Sequence, residues 1–169
     1  MIVTLEVVTT RRVRRARAHD VEAVVRLRVE MFRAMGVPQH GSADWQAAAT
    51  EWFTRRLEDP RFCIVVVEVD GAVVATALGT LREAPPSPHS TEGDVLISNV
   101  CTDPGARGRG HGRAAFDAVL AWSHTVDAGR AELLATDDGR RMYEESGFSV
   151  SRTPVMRAPL HPRRGRLIR

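Results

Sequence analysis

A turn in which glycines alternate with arginine and histidine is the segment best suited to chemistry. It comprises Arg107, Gly108, Arg109, Gly110, His111, Gly112 and Arg113. Apolar residues on both sides predict a strand before this turn and a helix after it. The first amides of a helix lack intrahelical partners and carry partial positive charge, and glycines let an anion approach the backbone closely. The segment therefore predicts a site for a phosphate-bearing ligand, and a diphosphate suits it best.

Other interpretations of this turn stay open. Its glycines and arginines are compatible with a solvated surface turn that binds nothing. Gly110-x-Gly112-x-x-Ala115 also satisfies a dinucleotide-binding fingerprint, with Asp127 and Glu132 downstream as ribose-binding candidates. The turn comes late in the chain, however, which leaves too few residues for a doubly wound domain after it. A P-loop is excluded because Gly105-x-x-x-x-Gly110 is followed by His111, where that motif has lysine.

The elements that must position this turn are predicted from its flanks. The apolar run 94–102 predicts a buried strand, and residues 110–126 predict the helix that the turn opens. Upstream, Asp70-Gly71 between the β-rich runs 62–69 and 72–81 predicts a hairpin. These elements bring the glycine turn to the end of a sheet strand.

Helices complete the predicted architecture. Amphipathic spacing predicts helices over 21–35, behind Asp20 as cap, and over 43–57. A short helix over 138–145 is predicted to end at Gly147, with the last strands following from residue 148. Strands that alternate with helices after a hairpin predict an α/β fold with a mixed sheet.

Composition limits the classes of protein that fit. It predicts one domain over residues 1–160 and a basic, flexible tail over 161–169. All 24 basic residues are arginine, yet the formal net charge is only +3. No apolar run reaches the ~20 residues of a membrane span, and Glu6 interrupts the start too early for a secretory signal, so a cytoplasmic protein without a membrane partner is expected. Scattered arginines and 5% aromatic residues argue against a nucleic-acid partner, and the cysteines and histidines lack metal-ligand spacing.

Two motifs together resemble a known family. Arg107-x-x-Gly110-x-Gly112, after the strand that ends at Thr102, is similar to the acyl-CoA-binding motif of the GNAT (GCN5-related) N-acetyltransferase superfamily. Tyr143-x-x-x-Gly147-Phe148 resembles the motif that follows it, in the family's order and spacing. The resemblance implies a central, mostly antiparallel sheet with a splay between the motif strands, flanked by about four helices.

The resemblance also implies how the donor is bound. The backbone amides from Arg107 through Arg113 would hold the diphosphate of coenzyme A. The chain at Val100, Cys101 and Thr102 would pair with the pantetheine arm like an added strand. No metal is implied.

Catalytic roles follow from the same comparison. Tyr143, the only tyrosine, corresponds to the general acid that protonates the departing thiolate. Asp94 is the candidate proton acceptor, with Glu92, Glu30 or an ordered water chain as alternatives. One departure is Thr136, where many members have asparagine, so hydrogen bonding to the pantetheine arm is expected to differ there.

The function implied is direct transfer of an acetyl group from acetyl-CoA to a primary amine of a small molecule or peptide. The alternative is a non-catalytic or regulatory CoA-binding module. Cys101 also suggests an acyl-cysteine route, but a strand cysteine is usually a small core residue, so direct transfer is favoured. A homodimer is left open, because dimers are common in proteins that the chain resembles.

Overall fold

The computed structural model describes residues 9–86, 88, 92–158 and 160. The chain divides into two compact units, the first ending at Leu134 and the second beginning at Ala135. The predicted tail, 161–169, lies outside the described residues, and the single domain over 1–160 stays a prediction. In the described part, no helix has both the length and the apolar character needed to cross a membrane.

A five-stranded mixed sheet forms the centre of the first unit. In sequential order it contains β1 (Arg11–Arg15), β2 (Phe62–Val69), β3 (Ala72–Arg82), β4 (Gly93–Thr102) and β5 (Ala128–Leu133). Neighbouring strands are antiparallel except β4 and β5, which are parallel. At the hairpin, Asp70 and Gly71 both have positive φ, 49° and 82°, as a tight two-residue connection requires. The predicted hairpin and the mostly antiparallel sheet are therefore confirmed.

Helices cover both faces of this sheet. The described helices are α1 (Val21–Ala34), α2 (Ala43–Thr54), α3 (His111–Ser123) and, in the second unit, α4 (Asp137–Glu144), which confirms the predicted number. Phe62, Ile64 and Val66 of β2 pack in one core with residues of α1 and α2. Successive strand residues face opposite sides, so α3 lies on the other face. There a Cβ on Gly79 would lie 2.6 Å from the Trp122 ring.

β4 departs from regular pairing at two places. Toward β3, Asn99 and Val100 stand together opposite Ala77, which makes a β-bulge in which Asn99 has a φ of 53°. Toward β5, pairing ends at Ile97 and Leu133. Residues 98–102 therefore have no partner on that side among the described strands. This divergence is the splay that the family resemblance implies.

Asp20 anchors β1 to the start of α1. The prediction that Asp20 caps α1 is wrong in detail, because the Asp20 carboxylate accepts no hydrogen bond from the first amides of α1. It accepts hydrogen bonds from the Arg14 guanidinium at 2.6 and 3.0 Å and from the Arg17 amide at 2.7 Å. Burial by itself raises the pKa of Asp20, but the bonds from Arg14 and Arg17 outweigh it and hold the pKa below its usual value. Arg14 also donates to Glu68 of β2 at 2.6 Å.

The second unit contains α4 and a segment without regular structure. The amide of Gly147, whose φ is 90°, donates to the Glu144 carbonyl at 3.0 Å and ends α4. The strands predicted from residue 148 onward are wrong, since residues 148–158 form none. Apolar side chains in this segment are exposed, whereas a strand of a sheet buries at least one of its faces. They are Val150, Val155 and Met156.

Candidate active site

The glycine turn has the backbone shape that its sequence predicts. Gly108 and Gly110 have φ of 74° and 75°, a region that glycine enters without steric cost. Just before the turn, the Asp103 carboxylate accepts hydrogen bonds from the Gly105 amide at 3.1 Å and from Arg26 at 2.6 Å. These contacts fix the exit of β4 and direct the chain into α3.

Helix α3 begins directly after Gly110. Its first backbone hydrogen bond runs from the Ala114 amide to the Gly110 carbonyl, at 3.0 Å. The amides of His111 and Gly112 therefore precede the helical ladder, at the positive end of the α3 dipole. Such a helix start attracts anions, and phosphates above all.

Side chains around the turn take different positions. Arg107 and Arg109 are exposed, and Arg113 forms an ion pair with Asp117 at 3.3 Å. His111, in contrast, is buried, and its Nδ1 has no hydrogen-bond partner among the described residues. The turn thus combines cationic side chains on its outside with a buried polar atom that has no partner among the described residues.

Thr102 connects the end of β4 to the helix start. A Cβ on Gly112 would lie 2.7 Å from the Thr102 hydroxyl oxygen, so only glycine fits there without movement. The Thr102 carbonyl also lies 3.4 Å from Nε of Arg107. The open edge of β4 and the amides of α3 therefore meet at one place.

The Cys101 thiol points to α1. Its Sγ donates to the Leu27 carbonyl at 3.0 Å. Burial raises the pKa of Cys101 to about 11, with Glu30 and Asp103 adding to the rise and Arg107 opposing it. At neutral pH the side chain is a buried thiol, and a thiol is a poor nucleophile compared with a thiolate.

The candidate proton acceptors lie in different parts of the first unit. Asp94 is buried near the start of β4, where β4 and β5 still pair, and its carboxylate accepts a hydrogen bond from Arg130 at 2.9 Å. Glu92 is exposed. Glu30, on α1, accepts a hydrogen bond from Arg33 at 2.7 Å and acts electrostatically on Cys101.

Tyr143 lies on α4 in the second unit. Its side chain is 8% exposed, and its ring meets the Phe148 ring edge-to-face at 6.4 Å between centroids. Burial raises the pKa of Tyr143 above its ordinary value of about 10. The hydroxyl is therefore protonated throughout the physiological range. Thr136, which stands where many relatives have asparagine, precedes α4.

Two residues that sequence reasoning missed meet beside the bulge of β4. Arg28 of α1 donates from its guanidinium to Oδ1 of Asn99 at 2.9 Å. Asn99 is 4% exposed and its Nδ2 has no partner among the described residues. The available signal was an asparagine inside an apolar strand, because asparagine is enriched at positive φ.

Among the described residues, no three His, Cys, Asp or Glu side chains come together as metal ligands.

The sequence matches the model of the acetyltransferase (GNAT) family over residues 21–148. The chain belongs to this family. No match was found among curated proteins.

Solved structures share the fold of this GNAT protein. A GCN5-related N-acetyltransferase from Ralstonia eutropha is 29% identical, with a TM-score of 0.76 over 90% of this chain and 98% of that one. A predicted acetyltransferase from Clostridium acetobutylicum, with acetyl-CoA, is 21% identical, with a TM-score of 0.78 over 88% and 96%. Glucosamine-6-phosphate N-acetyltransferase from Arabidopsis thaliana is 16% identical, with a TM-score of 0.71 over 88% and 98%.

The residues of this GNAT protein fit an acyl-CoA donor. Amides at the start of α3 suit a diphosphate, and the unsatisfied Nδ1 of His111 provides a buried polar atom beside them. The edge of β4 over residues 98–102 offers backbone groups to an extended arm that carries amides of its own.

Proposed function

We propose that this GNAT protein transfers an acetyl group from acetyl-CoA directly to a primary amine of a small molecule or peptide. The observation that carries the proposal is the α3 start beside Gly108, Gly110 and Gly112, in a chain of this family. Its amides complement the charge of a diphosphate, and the flanking arginines add cations that remain charged at every physiological pH.

The donor would lie along β4 and the glycine turn. Acetyl-CoA, when bound, supplies an activated acetyl group on a thioester. The amides from Arg107 through Arg113 hold the diphosphate, and the backbone at Val100, Cys101 and Thr102 aligns the pantetheine arm. A backbone N–H of this open edge could stabilise the negative charge that would develop on the thioester oxygen during transfer.

Tyr143 is the proposed proton donor. Acyl transfer to an amine leaves a thiolate that must gain a proton, and an acid serves only while it remains protonated. The raised pKa of the buried Tyr143 meets that need. Its assignment rests on this property and on the family motif that it occupies.

Asp94 is the proposed proton acceptor for the attacking amine, with Glu92, Glu30 or an ordered water chain as the alternatives. The Arg130 partner gives a direct way to separate a chemical role of Asp94 from a structural one. Replacing Asp94 by Asn and Arg130 by Gln each breaks the ion pair. Only the Asp94 variant should lower kcat at neutral pH by a large factor if Asp94 accepts the proton.

Direct transfer is preferred to an acyl-cysteine route. Cys101 is the only described cysteine near the glycine turn, and its pKa of about 11 keeps it a thiol. Its Sγ is engaged by the Leu27 carbonyl rather than by a base that removes its proton. The amine itself is therefore the proposed nucleophile.

The experiment that tests the function is release of free CoA from acetyl-CoA against a panel of primary amines, with mass detection of the acylated product. An enzyme gives amine-dependent release above background, and Tyr143→Phe lowers the rate while CoA still binds. Amine-independent background release together with tight CoA binding would instead support the CoA-binding module.

A further inference from the structure

Arg28 is a partly buried cation for which the described residues offer no carboxylate. The positions one helical turn away on α1 are all apolar, so no intrahelical ion pair can form; they are Val24, Val25, Met31 and Phe32. Its one hydrogen bond in the described part goes to the neutral Asn99 amide, and its guanidinium stacks over the Phe32 ring at 4.7 Å. Burial lowers the pKa of Arg28, which reflects the cost of keeping the charge away from water.

A second unsatisfied donor stands at the same point. Asn99 uses Oδ1 to accept from Arg28, which leaves Nδ2 as a buried N–H donor without a partner among the described residues. The positive φ of Asn99 is maintained by the bulge, so the backbone holds this side chain in a conformation that few residues adopt. Arg28 and Asn99 therefore present only donors to any further ligand.

A partly buried cation without a carboxylate, beside a buried amide whose Nδ2 has no partner among the described residues, is unfavourable unless a further group completes these hydrogen bonds. If Arg28 had only a structural role, we would expect a carboxylate as its partner. Asp20 and Glu68 are such partners for Arg14 in the same unit. The contrast between these two arginines points to a ligand, because a bound anion satisfies both donors at once.

The site lies next to the place where acetyl transfer is proposed. Asn99 immediately precedes Val100, Cys101 and Thr102, and each strand residue advances by about 3.3 Å. An anion bound by Arg28 therefore lies close to the strand edge beside which the amine would react. The anion and the amine of one acceptor can be only a few bonds apart. Trp45 packs edge-to-face on Phe32 at 5.5 Å and extends the aromatic wall beside the guanidinium.

We propose that Arg28 and Asn99 form the acceptor's anion site, and that the preferred acceptors are small primary amines carrying a carboxylate or phosphate a few bonds from the nitrogen. The inference rests on the proposed acetyl transfer and narrows its substrate class. Arg28 binds the anion, Asn99 contributes the second hydrogen bond, and the amine is left free to approach the thioester.

The test uses matched pairs of probes with the full-length protein. β-Alanine is compared with propylamine, and O-phosphoethanolamine with ethanolamine, so each pair differs by one anionic group. We expect kcat/KM to favour the anionic member by at least about tenfold, since a charge-assisted hydrogen bond contributes roughly this much. The pair of probes with the larger preference shows whether the site prefers a carboxylate or a phosphate.

Variants assign the preference to the site. Arg28→Gln should raise KM for the anionic amine at least about tenfold and bring the ratio of kcat/KM between the two members of each pair close to one. Arg28→Lys should retain part of the preference because it keeps the charge. Arg55→Gln removes an exposed arginine that directly follows α2 and serves as the control. Equal rates within each pair, or a preference that survives Arg28→Gln, would overturn the anion site.

Two further measurements keep the result interpretable. CoA affinity of the same preparations distinguishes the two proposals, because intact CoA binding without anion preference overturns the anion site alone. Binding of each probe to the CoA-saturated protein is also measured directly. This measurement tests the anion site even if a variant is misfolded or produces no turnover. Anionic probes that bind no more tightly than their neutral partners contradict the inference even if no product forms.

Discussion

Gly112 and Thr102 approach each other so closely that a Cβ on Gly112 would lie 2.7 Å from the Thr102 hydroxyl oxygen. Gly112 belongs to the first turn of α3 and Thr102 is the last residue of β4. The contact sets the distance between the helix amides and the open strand edge. A donor that uses both elements depends on this distance, so the pair offers the sharpest steric test of the site.

Gly112→Ala should weaken CoA binding by about tenfold, because the new methyl group forces α3 and Thr102 apart. Helical backbone suits alanine, so the effect arises from the collision and not from φ. Thr102→Ala removes the obstructing hydroxyl while keeping the strand backbone. Calorimetry on both single variants and the double variant measures their coupling. Additive losses, with no rescue in the double variant, would contradict this explanation.

Gly110→Ala tests the backbone shape of the turn separately from its packing. A Cβ on Gly110 meets nothing within 4 Å, but its φ of 75° should cost an alanine about 1–2 kcal/mol of stability. Gly110→Asn should cost less, because asparagine tolerates this region. Gly41→Ala is the matched control, since Gly41 has open space and an ordinary φ. Equal denaturant midpoints for Gly110→Ala and Gly41→Ala would be incompatible with the strain.

Tyr143→Phe should lower kcat by about 10²-fold or more, the range of general acid catalysis, while CoA affinity changes little. An acid acts in its protonated form, so on the alkaline side the wild-type rate should fall as the pH rises through the elevated pKa of Tyr143, above about 10. That alkaline limb should disappear in the variant. Phe148→Leu alters the ring contact but keeps the hydroxyl, and it should retain most activity. An unchanged kcat in Tyr143→Phe would remove the residue from the mechanism.

Asp20→Asn should destabilise the fold by about 3 kcal/mol near neutral pH, because it leaves Arg14 partly unpaired in a buried position. The folded pKa of Asp20 is lowered, so its contribution is present above the unfolded pKa of about 3.9 and is lost as the pH falls through the folded value. The difference between wild type and variant should therefore be largest above about pH 5 and shrink in acid. Asp59→Asn, at a surface pair with Arg61, should have a smaller effect. A difference for Asp20→Asn that is independent of pH would contradict this assignment.

The sheet and the glycine turn could be predicted because their signals are local. The β-rich runs of β2 and β3 flank an Asp-Gly dipeptide, and positive φ at Gly108 and Gly110 follows from glycine itself. The strands predicted from residue 148 were wrong because the local sequence does not reveal whether a segment finds a partner strand.

The features that sequence reasoning missed depend on pairing between distant segments. The bulge at Asn99 arises from the register of β4 against β3, and the Asp94–Arg130 contact arises from the parallel pairing of β4 with β5. Neither register can be read from one strand alone. Arg28 looks like a solvated helix residue until the packing of α1 on β4 places it beside Asn99.

The most direct test of the account is calorimetric titration of the folded protein with CoA and, separately, with pantetheine, which lacks the diphosphate and nucleotide. If the amides of the glycine turn hold the diphosphate, CoA should saturate one site per chain with a Kd between about 1 μM and 1 mM, and pantetheine should bind at least about 100-fold more weakly. Absence of saturable CoA binding, or equal affinity for the two molecules, would contradict the account.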